Sequence, residues 1–178
     1  MRLSLSRLLA LAAVSVLGLA ACVKTAEPVD PPAPNMDAAA AFPRFDAVYR
    51  NAGHPAGVNS GLKGLGVRYF RFFEDGAAAV QSQMTGASGV VTKGMHDDAF
   101  AALAKGSGDR TAMPGRYTVD GDAIRIELGQ TISINGSTGN LSQAYDGKIV
   151  GDQLHLVRKD PETGKAMSPT IVYWPAER

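Results

Sequence analysis

Along most of this chain apolar and polar residues alternate in short runs, and the runs are separated by glycine-bearing turns. The clearest run is Ala123 to Leu128 (AIRIEL), where Ile124, Ile126 and Leu128 point one way and Arg125 and Glu127 the other. A period of two is the signature of a half-buried strand. Gly115 to Val119 precedes it across Asp120-Gly121-Asp122, and the pair predicts a hairpin. Gly66 to Phe73 (GVRYFRFF), Glu74-Asp75-Gly76 and Ala77 to Met84 repeat the arrangement. Asp-Gly between two such runs predicts a tight turn whose central positions favour positive φ. Leu141 to Val150, Gly151-Asp152 and Gln153 to Arg158 give a third hairpin, with Leu154 and Leu156 inward and His155 on the opposite face. Further strands are predicted at Phe45 to Arg50, at Thr131 to Ile134 ending at Asn135-Gly136, and at Thr170 to Trp174, where Pro175 stops the run. Asp160 to Gly164 reads as a turn.

One segment follows a different period. Met95 to Lys105 predicts a helix, with Asp97 or Asp98 as cap and first-turn acid, and Gly106 in the C′ position. Phe100, Leu103 and Ala104 make its apolar stripe. The 67–73 strand is apolar on both faces, so it either sits beneath the helix, the favoured reading, or presents an apolar patch to a partner. A single short helix among about eight regularly spaced strands predicts a mainly β fold, an antiparallel β-barrel or sandwich.

The chain begins differently. Arg2 and Arg7 precede an apolar run from Leu8 to Leu17, the anatomy of an export signal. The run is shorter than the roughly 20 residues that a spanning helix needs. It ends in Leu19-Ala20-Ala21-Cys22, which resembles the lipobox of bacterial lipoproteins, and Cys22 is the one cysteine of the chain. The resemblance implies cleavage between Ala21 and Cys22 and lipidation of the Cys22 thiol, which anchors the chain to the membrane without spanning it. In that family Asp after the cysteine commonly retains the protein at the inner membrane. Val23 and Lys24 stand here, which implies the outer membrane in a diderm host. An ordinary secretory signal is the competing reading, but it leaves an unpaired thiol in an oxidising compartment. Residues 22–41 then form a tether, with Pro28, Pro31, Pro32 and Pro34 among the ten prolines, expected to be an extended spacer. Residues 42–178 are enough for one domain with one core.

The strings YFRFFEDG, GRYTVDGDAIRIEL and YDGKIVGDQLHLV resemble a pattern in bacterial proteins with a lipocalin-like (calycin-type) small β-barrel. The likeness spans Val67 to Trp174 and rests on turn formers and core positions, so it implies fold rather than activity. Lipocalins carry a Gly-x-Trp near the first strand, whereas this chain has FDAVYR there and its one tryptophan at Trp174.

Charge and chemistry narrow the function by exclusion. The net charge of +1 gives no basic excess for a nucleic-acid surface. His54, His96 and His155 have no metal-ligand spacing. Ser88 lacks the Gly-x-Ser-x-Gly frame, and Gly164-Lys165 lacks the rest of a phosphate loop. Gly61 to Gly66 leads into a strand rather than a helix, and His96-Asp97-Asp98 is accounted for by helix-end chemistry. No metal, cofactor or catalytic residue is assigned. The expectation is a lipid-anchored, non-enzymatic envelope lipoprotein that binds an envelope protein or a small apolar ligand. A carrier with an apolar barrel cavity is the alternative, and an envelope hydrolase a more distant one.

Overall fold

The computed structural model describes residues 29–36, 42–55, 64–86, 89–107, 109, 111–134 and 137–176. The leader, Ala21, Cys22, residues 61–63, Ser88 and Asn135-Gly136 lie outside the described residues. In chain order the elements are β1 (Val48–Arg50), β2 (His54–Pro55), β3 (Leu65–Phe72), β4 (Ala77–Met84), α1 (Lys93–Ala102), β5 (Met113–Asp120), β6 (Ala123–Ile134), β7 (Ser137–Val150), β8 (Gln153–Lys159) and β9 (Ile171–Ala176).

All three predicted hairpins form, with turn geometry that differs in two of them. The β3–β4 connection is a three-residue loop: Phe73 N–H donates to Ala77 O and Gly76 N–H to Phe73 O, both at 3.0 Å. Only its last residue, Gly76, needs the left-handed region at φ +79°, so Asp75-Gly76 is not a two-residue turn. In β5–β6 Asp120 pairs with Ala123, which makes Gly121-Asp122 the turn and leaves Asp120 in the strand. The β7–β8 turn is Gly151-Asp152, as the sequence predicts, between the paired Val150 and Gln153.

Other boundaries move for local reasons. Thr131 to Ile134 is the far half of β6 and not a separate strand, because pairing with β7 continues past Gly129 to Ile134↔Ser137. Phe45 and Asp46 lie in a turn, held where Arg44 N–H donates to the Tyr49 hydroxyl at 3.0 Å, so β1 starts at Val48. β9 runs through Pro175 to Ala176. Pro175 lies beyond the last β8–β9 pair, Leu154↔Tyr173, and has a strand partner on one side only, an edge-like place where a strand tolerates proline.

β3 to β9 pair in sequence order, and β1 closes the ring by pairing with both β9 and β3. The result is a closed antiparallel barrel of eight strands, with β2 as a two-residue extension on β3. A barrel of this size has an interior just wide enough for side chains to fill. Ile124, Ile126, Leu128, Leu154 and Leu156, each at most 3% exposed, meet there with Tyr49, Phe70, Phe72, Tyr145 and Tyr173. Phe70 stands edge-on to Tyr145 and Tyr173, with ring centroids at 5.2 and 5.0 Å. Two inward glycines make room for these side chains. A Cβ at Gly115 would lie 2.0 Å from the Glu127 carbonyl oxygen, and one at Gly147 would lie 2.2 Å from that of His155.

Odd-numbered β3 residues face outward. Val67 and Tyr69 pack under α1 against Ala99, Phe100 and Leu103, so the helix covers the second apolar face of this strand. The cap differs from the sequence reading: the N-cap is Thr92, whose Oγ1 accepts from Met95 N–H at 3.3 Å. Asp97 is instead an exposed partner of Lys93 one turn earlier. The helix ends at Ala102, whose carbonyl accepts from Ser107 Oγ at 2.7 Å. Ala104 is therefore exposed, with Ala99 in the buried stripe, and Gly106 belongs to the following turn.

The tether is not wholly a free spacer. Gln153 Nε2 donates to Pro32 O at 2.6 Å, and Asn35 N–H donates to Asp152 Oδ1 at 2.8 Å. Residues 32 and 35 thus rest on the β7–β8 turn, where Asn35 O lies 2.6 Å from where a Gly151 Cβ would be.

The glycines give a graded stability test. Gly121 has φ +60° and open space around it, so Gly121→Val should cost about 1–2 kcal/mol from backbone strain alone. Gly147→Ala drives a methyl into the backbone of β8 and should cost about 2 kcal/mol or more. Urea unfolding of both variants checks the order; equal midpoints would contradict the close approach at Gly147.

Candidate functional site

The two ends of the barrel interior differ in chemistry. Near the hairpin tips Phe42, Tyr49, Phe72 and Tyr117 interlock, with Tyr49–Phe72 at 5.6 Å and Phe72–Tyr117 at 5.1 Å. That end is plugged by rings. The opposite end is polar, and its residues come from strand alternation. Arg68 shares the inward face of β3 with Phe70 and Phe72, and Arg158 follows Leu154 and Leu156 on β8. Tyr145 on β7 is the cross-strand partner of Arg158.

These groups converge. Arg68 Nη1 donates to the Tyr145 hydroxyl from across the barrel, with the guanidinium carbon 5.8 Å from the Tyr145 ring centroid. The Tyr145 hydroxyl donates to Gln143 Oε1 at 2.7 Å, and Arg68 Nε reaches Ser82 Oγ at 3.4 Å. Arg158 Nε is buried and without a hydrogen-bond partner. Tyr145 and Tyr173 are both 1% exposed, while Arg68 and Arg158 are half-buried. Burial pushes both phenols up, and the charges of Arg68 and Arg158 act on both in the opposite direction.

The charge balance sets this end apart. The inward positions of the paired strands carry no Asp or Glu, as the registers show: Arg68↔Ser82, Leu128↔Gln143, Tyr145↔Arg158, Leu156↔Ile171. Glu127 and Asp146 belong to the outward set, and Glu127 pairs there with Arg125 at 2.9 Å. Among the described residues no ion pair includes Arg68 or Arg158. A buried donor left without a partner costs about 1–3 kcal/mol, and more on a charged group. One half-buried cation, Arg68, bonded to neutral oxygens, and a second, Arg158, with an idle Nε–H, give this end a positive charge that no carboxylate offsets.

The rim is made of two projecting pieces. β5 pairs with β6 as far as Leu128, and β8 pairs with β7 from Ala144 onward, so residues 129–134 and 137–143 stand out as a two-stranded ribbon. The β8–β9 loop folds back: Met167 N–H donates to Arg158 O at 2.8 Å, and Arg158 N–H donates to Ser168 Oγ at 3.0 Å. Its turn is tied by Asp160 Oδ1, which accepts from the N–H groups of Glu162 and Thr163, with Gly164 at φ +68°. Gly164-Lys165 is thus turn geometry.

On the outer face Arg50 lies 4.7 Å over the Trp174 ring and opposite Tyr69. Burial pushes Arg50 down and Tyr69 up to about 12, and α1 covers the row, with His96 edge-on to Tyr69 at 5.9 Å. A groove of about 410 Å³ lies between the end of α1 and the β4–β5 seam, lined by Ala77, Ala79, Leu103, Ala112 and Pro114. Its lining is mostly apolar, with Lys105 and Asp109 among the residues that border it.

The histidines stay apart. His155 lies on the outer face, 3.4 Å from Gln153 Oε1, His96 is in α1, and the backbone of His54 is in β2. Among the described residues no three of His, Cys, Asp and Glu converge. The signal-cleavage and lipidation residues Ala21 and Cys22 lie outside the described residues, as does Ser88. The residues that do converge, Arg68, Ser82, Gln143, Tyr145, Arg158 and Tyr173, were not singled out as a site from sequence.

All five tyrosines of the chain are held above their ordinary pKa of 10.0 by burial, Tyr49 and Tyr69 at about 12. A folded pKa above the unfolded one gives stability that is complete below pH 10 and is lost as pH rises through the folded value. Phenolate absorbance should therefore rise only above pH 10 in the folded chain, together with loss of near-ultraviolet circular dichroism; titration at pH 10 without unfolding would contradict the burial. Comparison with known protein families, curated proteins and solved structures returns no match, so the site speaks through its own chemistry.

Proposed function

We propose that this chain is a lipid-anchored lipoprotein of the cell envelope, at the outer membrane of a diderm host, whose lipocalin-like barrel binds a ligand at its polar mouth without catalysing a reaction. The observation that carries the binding reading is the pair of half-buried guanidiniums on inward strand positions, Arg68 with neutral partners and Arg158 with an unpartnered Nε–H, neither in an ion pair. The chemistry favours a binder over an enzyme. An acid–base catalyst works best with a pKa near the operating pH. Arginine stays protonated, and the phenols of Tyr145 and Tyr173 are pushed further from neutrality. The address rests on Leu19-Ala20-Ala21-Cys22, and the tether contacts at Pro32 and Asn35 fit a domain that is held by its start.

The carrier reading needs an open interior. Against it stand the close-packed Ile124, Ile126, Leu128, Leu154 and Leu156, and the ring plug behind them. A long alkyl chain has nowhere to lie along the barrel axis without displacing them.

Two measurements test this. Metabolic labelling with a fatty acid should label the wild type and leave Cys22→Ser unlabelled and out of the membrane fraction; equal labelling would end the anchor reading. The full chain in neutral detergent should show no saturable uptake of a fluorescent long-chain fatty acid at micromolar concentration. Stoichiometric uptake abolished by Ile126→Phe would promote the carrier.

A further inference from the structure

We infer that the barrel mouth is a receptor for one small oxyanion, a phosphate or a carboxylate, held between the guanidiniums of Arg68 and Arg158 with the rest of its molecule outside the barrel. The inference rests on the mouth being a binding site and adds the chemical class of what binds there.

Four observations lead to it. First, Arg68 reaches across from β3 to bond the Tyr145 hydroxyl, and Tyr145 is the cross-strand partner of Arg158, so one ring lies beside both arginines. Second, that spot lacks an anion of its own: the inward registers hold no carboxylate, and the acidic neighbours Glu127 and Asp146 belong to the outward face. Third, the donors are prepared and not exhausted. Arg68 is oriented by Ser82 and by Tyr145, which is itself fixed by Gln143, while Arg158 Nε is buried and idle. A planar guanidinium presents its N–H groups in a fork that matches a carboxylate or phosphate edge. Fourth, the depth is limited. Phe70 stands edge-on to Tyr145 and Tyr173 beneath the two arginines, so an anionic group can enter and a chain behind it cannot.

On the outer face Arg50 also has a buried N–H without a hydrogen-bond partner, but its guanidinium lies 4.7 Å over the Trp174 ring. The surface cations Arg44, Lys93, Lys105, Arg125 and Lys148 each have a carboxylate partner.

The test is titration calorimetry of the full chain in neutral detergent with inorganic phosphate, acetate and glycerol 3-phosphate, at constant ionic strength set with chloride. Saturable one-to-one binding of at least one of the three is expected, weakened about tenfold or more in Arg68→Gln and in Arg158→Gln. Arg125→Gln, whose guanidinium faces outward beside Glu127, should bind like the wild type. Arg68→Lys keeps the charge and should retain more affinity than Arg68→Gln, which covers the case where the glutamine variant loses its fold by circular dichroism. Tighter binding of glycerol 3-phosphate than of phosphate assigns a phospholipid headgroup as source, and equal binding assigns the free anion. No saturable heat with any of the three, or binding unchanged in both glutamine variants, overturns the proposal. Neither result touches fatty-acid labelling at Cys22, so a failure here leaves the anchored, non-enzymatic reading standing and removes only the anion.

Discussion

Everything in this molecule is subordinate to filling a narrow ring. Eight antiparallel strands close with an interior that side chains alone can occupy, so each inward position is a choice about volume. Large aliphatics at Ile124, Ile126, Leu154 and Leu156 are possible only because Gly115 and Gly147 stand among them, where a methyl group would meet backbone at 2.0 and 2.2 Å. The rings of Tyr49, Phe70, Phe72, Tyr145 and Tyr173 occupy the rest, Tyr49–Phe72, Phe70–Tyr145 and Phe70–Tyr173 edge-to-face and Phe70–Phe72 parallel at 6.3 Å. Closure itself depends on the three residues of β1, since Tyr49 is paired with Phe70 on one side and Pro175 on the other. Without that short strand β3 would keep only its two-residue pairing with β2 on that side and β9 would be an open edge, which a sheet has to cover or pair.

Because the interior is full, chemistry is confined to the ends. The hairpin-tip end is sealed by Phe42 against Tyr49 at 5.4 Å, and the opposite end is where the alternation places Arg68 and Arg158. A packed core of this kind supports a costly arrangement elsewhere, since two cations without carboxylate partners contribute nothing to folding that apolar residues could not. Their presence on the inward face is therefore a local conflict between stability and something else, and such conflicts mark functional sites more often than neutral ones.

Much of this was legible beforehand, and the reasons are physical. The hairpins and their order follow from period-two alternation broken by Asp-Gly and Gly-Asp, signals that act over a few residues. The cover over β3 follows from a strand apolar on both faces. What failed to show was anything decided by a competing partner. Thr92 takes the helix cap from Asp97 because its side chain meets the Met95 N–H, a contact invisible in the acidic pattern that suggested the later start. Thr131 to Ile134 looked separate because Gly129 interrupts the alternation, whereas backbone pairing ignores the missing side chain. Pro175 looked like a stop because the sequence does not say which strands have partners on both sides.

The site itself was half-written in the same alternation. In GVRYFRFF the first arginine has the parity of Phe70 and Phe72 and the second the opposite, and in QLHLVR the arginine continues the Leu154–Leu156 face. Parity alone places Arg68 and Arg158 inside any barrel built on these strands. It does not say that they meet, because their convergence depends on the closing of β1 and on Tyr145 arriving opposite Arg158 from a strand in between. Charge totals hid them as well: a chain with 18 basic and 17 acidic residues reads as balanced, and a total does not say which face of a strand a charge occupies. Outside, Arg125 has Glu127 and Lys148 has Asp122; inside, Arg68 bonds oxygen atoms that carry no charge and Arg158 has an unpartnered Nε–H. The separation of charge by strand face, rather than the sum, is what gives this barrel a direction: an outer face that carries all the strand carboxylates, an aromatic floor, and a positive mouth.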